Sequence, residues 1–227
     1  MKCWICGAEA NSREHVVKAS DLKLQFGNFS QSNPLFQHSG ARKNVRVGSL
    51  KSDKLKFSAS ICARCNNERT QPFDRAWEKL SSTLQSAHRQ SPPAQRVRVK
   101  TIFPGASGKS MLNVHLYFVK LFGCRIVESG IPIDIEAFSQ AILMGKPHPH
   151  LFLEFGVLKD VKGKRAGITP IQAVNTQGQS VFATFMYSVG KIGVVPIFTM
   201  LPTRRITRDA WHPSQHLRAL ELKSFTA

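Results

Sequence analysis

Apolar residues recur at helical spacing in three stretches and alternate at strand spacing in several others. Within residues 72–89, Phe73, Trp77, Leu80 and Leu84 share one face, Pro72 stands in the first turn and Asp74 near the positive end, which predicts a helix. Residues 112–126 are apolar at helical spacing, and 135–144 form a shorter helix candidate. Residues 14–17, Glu-His-Val-Val, read as a short strand, and 55–61 alternates well enough to be another. Between 96 and 103, Val97, Val99 and Thr101 alternate with Arg96, Arg98 and Lys100, predicting a strand with one basic face. Four later runs, 151–158, 168–175, 181–189 and 192–200, are β-rich and separated by Gly-containing turns. Residues 18–53, rich in Ser, Asn, Gln, Gly and Lys, have few periodic apolar positions and read as loop.

Paired prolines inside Gln-Ser-Pro-Pro-Ala-Gln, residues 90–95, end the predicted helix among small and polar neighbours and mark a linker. The chain therefore divides into residues 1–90 and a second unit, 96–227, whose mixture of helices and strands predicts α+β architecture. At 227 residues and 42% hydrophobic content there is ample material for a core, and no apolar run is long enough to span a membrane. Met1-Lys2 leads directly into Cys3 with no apolar signal segment, so a cytoplasmic protein is expected.

Charge narrows the choice of partner. There are 32 Lys and Arg against 14 Asp and Glu, a net charge of +18, and the pI is near 10.2. Residues 1–92 carry +8 (15 basic, 7 acidic) and the remainder +10 (17 basic, 7 acidic), so the excess is no detachable tail. With neither a basic amphipathic helix nor a lipidation motif, nucleic acid is the expected partner and a membrane is not. Arg42, Lys43, Arg46, Lys51, Lys54 and Lys56 are opposed only by Asp53; they suit a segment lying along a phosphate backbone, or equally a solvated loop.

Four of the five cysteines form two Cys-x2-Cys pairs, Cys3/Cys6 and Cys62/Cys65. Each pair can offer two thiolates to one side of a tetrahedral Zn²⁺, and four sulfurs close its shell, so such a zinc is structural. The ion would fasten the ends of the long segment between the pairs. The fifth, Cys124, lies in an apolar stretch and reads as a small buried hydrophobe.

Between the pairs lies Glu14-His15, and the second pair runs directly into Asn66-Asn67. The order Cys3-x2-Cys6, Glu14-His15-Val16-Val17, Cys62-x2-Cys65-Asn66-Asn67 resembles the HNH endonuclease family over about residues 3 to 80. The resemblance implies a zinc-stabilised ββα-metal finger, which the helix and strand pattern of residues 96–227 would follow with a mixed α/β accessory domain. It implies a hydrolase that cuts DNA phosphodiester bonds, with His15 as general base. It further implies that Glu14 and Asn66 hold a catalytic divalent ion, Mg²⁺ or Mn²⁺. Asn67 and Asp74 are additional candidates, each with a plainer reading at a helix start. The chemistry is coherent, because imidazole titrates near neutrality and oxygen donors suit hard cations. Alternation along a regular strand, however, sends Glu14 and His15 to opposite faces.

Two positions depart from the family pattern. Lys18 stands where many members have Pro, and the middle Asn that orients the base is absent, leaving Ser58, Asn44 or a backbone carbonyl for that task. This leaves two alternatives, a zinc-stabilised nucleic-acid-binding protein with a degraded nuclease centre and an RNA-directed nuclease. A homodimer would make double-strand cutting easy, although no interface segment is apparent. His148-Pro149-His150 reads as a loop, His115 as a packed helix residue, and Gly105-Ala-Ser-Gly-Lys-Ser110 lacks the spacing of a phosphate-binding loop.

Overall fold

The computed structural model describes residues 1–39, 42–89, 95–159, 161–203 and 207–226. The first knuckle turns on Gly7, whose positive φ of 73° spares a side chain from strain. It leads into β1 (Ser12–His15), which pairs antiparallel with β4 (Lys56–Ile61). The register runs Arg13↔Ser60 and then His15↔Lys56, so one residue of β1 opposes three of β4 in a bulge beside His15. The strand expected at 14–17 is thus shifted to end at His15. β4 delivers the second knuckle, after which a π-helical turn (Arg64–Arg69) opens into α2 (Gln71–His88).

Three elements occupy the stretch expected to be loop: α1 (Ala19–Phe26), and β2 (Leu35–Gln37) paired antiparallel with β3 (Val45–Val47). Apolar periodicity does not reveal α1 because one of its two buried residues, Asp21, is polar. Its carboxylate accepts from Trp77 Nε1 at 2.8 Å, Ser81 Oγ at 2.6 Å and Tyr187 OH at 2.6 Å, so hydrogen bonds fasten this helix.

Most of the linker expected at 90–95 lies outside the described residues. Beyond it, only β5 (Arg96–Arg98) of the expected strand 96–103 is extended. The chain then makes one helical turn, α3 (Val99–Ile102), because burying both Val99 and Ile102 requires a spacing of three. Next come α4 (Ser107–Ser129) and α5 (Ile135–Met144). The β-rich runs become β6 (Leu151–Leu158), β7 (Ala166–Ile168), β8 (Gln172–Thr176), β9 (Gln179–Thr184), β10 (Tyr187–Val189) and β11 (Ile192–Thr199). Two short strands close the chain, β12 (Ala219–Glu221) against β5 and β13 (Lys223–Phe225) against β6.

The larger sheet runs β13-β6-β11-β10-β7, with β9 also on β11 and β8 outside it; β13 lies parallel to β6 and the other pairs are antiparallel. The architecture is mixed α+β. α4 runs through its middle, packing on α2, α5 and β4. Trp77 of α2 stacks on Tyr117 of α4 at 5.5 Å between ring centroids and meets Phe118 and Tyr187 edge-on. One apolar core thus runs from Cys3 in the first knuckle to Leu220 in β12, on both sides of the expected division. Among the described residues, no helix is long and apolar enough to cross a membrane.

Candidate functional site

The two knuckles converge. The sulfurs of Cys3, Cys6, Cys62 and Cys65 lie within 4.8 Å of one another and none is in a disulfide. Four soft donors at this separation can hold a structural Zn²⁺. Burial pushes the Cys3 and Cys65 thiols up, whereas the backbone amide of Ala8 lowers Cys6 to about 7. A bound divalent ion would supply the positive charge that turns all four into thiolates. Arg69 Nη1 donates to Cys65 Sγ at 3.5 Å, and α4 seats the knuckle through Gly123, where Trp4 leaves no room for a Cβ.

His15 ends β1 half-buried, and its Nε2 lies 2.9 Å from the carbonyl oxygen of Leu50. A carbonyl only accepts, so Nε2 carries a proton, and in the tautomer this selects the lone pair lies on Nδ1. Nδ1 has no partner among the described residues. The backbone of Leu50 is therefore the group that fixes the orientation of the His15 ring. Neither of the side-chain candidates does it: Ser58 donates from its backbone N–H and hydroxyl to Glu128 at 3.0 and 3.2 Å, and Asn44 meets a different histidine, its backbone N–H donating to His38 Nδ1 at 3.4 Å.

Glu14 takes the opposite face, as strand alternation demands. Its carboxylate is buried and accepts from Lys120 Nζ of α4 at 3.0 Å. The same ammonium donates to Asp74 Oδ1 at 2.8 Å and Thr70 Oγ1 at 3.3 Å, while Lys18 Nζ lies 3.1 Å from Asp74 Oδ2. Burial alone would pull Lys120 down, but Glu14 and Asp74 more than reverse this and hold it raised as an ammonium. Thr70 Oγ1 in turn donates to the Asn66 carbonyl at 3.1 Å, linking the charged cluster to the second knuckle.

Asn66 secures the π-helical turn to β1, its Nδ2 donating to Ser12 Oγ at 3.0 Å and to the Arg13 carbonyl at 3.2 Å. Its Oδ1 is buried without a partner, and Asn67 is exposed. Glu14 and Asn66, expected to hold one divalent ion together, are thus engaged separately, and the donor set does not fit that ion: the carboxylates of Glu14 and Asp74 already surround a cation.

The basic segment borders His15. Lys56 is its cross-strand partner, and Arg13 and Lys56 reach Asp53 at 2.7 and 3.1 Å. Arg46 donates to the Gln31 carbonyl and Lys54 to the Arg46 carbonyl at 3.0 Å, stitching the β2–β3 hairpin to the turn before β4. Arg42, Lys43 and Lys51 are exposed and make no ion pair among the described residues. Lys51 follows directly on the carbonyl that holds His15.

Sequence reasoning missed Lys120, Thr70, Leu50 and the pairing of Lys18 with Asp74. A signal existed only for Lys120, a lysine between Val119 and Leu121 in an apolar helix, where a charge has to be matched if buried. No family model, curated protein or solved structure matches the chain.

Proposed function

We propose that this protein is a zinc-stabilised endonuclease that hydrolyses DNA phosphodiester bonds, with His15 as general base, in the manner of the HNH family its sequence resembles. The observation that carries the reading is the hydrogen bond from His15 Nε2 to the Leu50 carbonyl, which leaves Nδ1 as a proton acceptor next to a basic segment. In that role Nδ1 takes a proton from a water, and the water's oxygen attacks phosphorus in line with the departing 3′ oxygen. Negative charge gathering on the phosphoryl oxygens faces Lys51, Lys56 and Arg13. Asp53 is shared between Arg13 and Lys56, so that trio keeps a net positive charge. The net charge of +18 supports nucleic acid as substrate. Because the carboxylates do not fit the expected Mg²⁺ or Mn²⁺, no step runs through such an ion.

Zinc-loaded protein and His15→Ala are incubated with supercoiled plasmid, with and without Mg²⁺ or Mn²⁺, and with a matched RNA. The expected result is relaxed or linear plasmid from the wild type and a loss of roughly 100-fold or more in rate for His15→Ala. Equal cutting by both proteins, or none by either under every condition, overturns the reading. Cutting confined to RNA redirects it to an RNA nuclease.

A further inference from the structure

The region beneath β1 contains two carboxylates, a hydroxyl and two ammonium groups. Glu14 and Asp74 share the Lys120 ammonium, and Lys18 lies between Asp74 at 3.1 Å and Glu78 at 3.6 Å. Lys120 Nζ directs its three protons to three oxygens, those of Glu14 at 3.0 Å, Asp74 at 2.8 Å and Thr70 at 3.3 Å. Its side chain is 0% exposed and that of Glu14 5%. A divalent ion placed among these oxygens would meet an ammonium already buried at their centre, and like charges cannot share that place unless the ammonium leaves. The ammonium is wholly enclosed, because Lys120 lies in the middle of α4, which packs on α2 and β4.

We infer that Lys120 is the resident cation of this centre, its ammonium occupying the place between Glu14, Asp74 and Thr70 that a divalent metal would otherwise take. Lys120 is then a positioning residue. It holds Glu14 inward and, because neighbouring residues of a strand face opposite ways, keeps His15 outward. Through Thr70 it also fixes the carbonyl of Asn66, and through Asp74 the start of α2. Its bearing on catalysis rests on the endonuclease reading; its exclusion of a divalent ion does not.

Mn²⁺ binding to the full-length, zinc-loaded protein, followed by electron paramagnetic resonance, tests this without reference to cutting. Wild type and Glu14→Gln are expected to bind Mn²⁺ alike, since the buried ammonium of Lys120 already occupies the place beside Glu14. In Lys120→Met the two carboxylates lose the cation they share, Asp74 keeping Lys18, and a Mn²⁺ site should appear that is tighter than any in wild type by roughly tenfold or more and lost again when Glu14→Gln is added. A Mn²⁺ equivalent in wild type that vanishes in Glu14→Gln overturns the inference, as does a folded Lys120→Met that acquires no such site. If Lys120→Met does not fold, wild type against Glu14→Gln still decides, because glutamine keeps an oxygen for the ammonium. An absence of DNA cleavage would remove the endonuclease reading and leave these titrations unchanged.

Discussion

Single side chains carry an unusual share of the organisation because several buried charges are each satisfied by groups distant in sequence. Asp21 illustrates the energetics. Burial raises its pKa, and the hydrogen bonds from Ser81, Tyr187 and Trp77 oppose that rise, so it is kept by its donors. Asp21→Ala would leave the Trp77 indole N–H and the Ser81 and Tyr187 hydroxyls without this acceptor, while also removing a buried charge. The balance should be a loss of roughly 3 kcal/mol. Urea unfolding measures it, and a loss under about 1 kcal/mol would show that the three donors find other partners. His15 was legible from its place between the cysteine pairs, and its opposition to Glu14 from the period of a strand. The Leu50 carbonyl was not, because every residue has a carbonyl and no motif marks which one will meet an imidazole 35 positions away. Lys120 was hidden for a different reason: its partners, Glu14 and Asp74, belong to elements that only the fold brings to α4.

Elements with apolar stripes were legible, and elements held by polar contacts or forced by neighbours were not. α2, α4 and α5 follow their periodicity and β6 and β11 their runs, whereas α1 is tied by Asp21 and the tail of the expected strand at 96–103 curls to bury Ile102. A glycine inside α4 presents the same competition between local preference and packing. Helix propensity alone makes Gly123→Ala stabilising by about 1 kcal/mol. A Cβ there, however, would lie 2.7 Å from two ring carbons of Trp4 and closer still to a third. Trp4 stands between Cys3 and Ile5, both buried, and its indole cannot withdraw without moving the knuckle. Overlap should prevail, with a net loss of about 1–3 kcal/mol and faster zinc release to a chelator. Thermal melting and the rate of zinc transfer to a colorimetric chelator measure both, and a melting temperature at or above wild type would reverse the sign of the argument.

Across the whole molecule, the strongest dependence on conditions arises far from His15, where α4 meets the chain entering β6 and the segment before β12. His115 Nε2 accepts the backbone N–H of His148 at 3.1 Å, and His148 Nδ1 accepts that of His150 at 3.2 Å. His212 Nε2 lies 3.1 Å from the His148 carbonyl, and its Nδ1 accepts the Ser214 amide at 3.1 Å. In each ring a nitrogen that would gain a proton is already receiving one, so the packing requires neutral imidazoles. Burial accordingly lowers all three, His148 to about 3 and His115 well below its ordinary range, with the neighbouring histidines adding to the effect and Asp134 opposing it at His148. The sign follows from linkage. Above about pH 6.5 both folded and unfolded chains hold these histidines neutral and they cost nothing. Below it the unfolded chain alone takes up protons, so His115 and His148 should each remove about 1.4 kcal/mol of stability per pH unit until the folded groups titrate. Raised Asp21 acts in the opposite direction, since acid relieves its buried charge, so the histidine contribution is best isolated by difference. Denaturant unfolding of wild type and His148→Gln from pH 7.5 to 5 should give curves that run parallel above about pH 6.5 and diverge below it, the variant falling less steeply by roughly one proton. Parallel curves down to pH 5 would mean that His148 already carries its charge in the folded protein, and that the backbone N–H pointing at its Nδ1 does not hold the ring neutral.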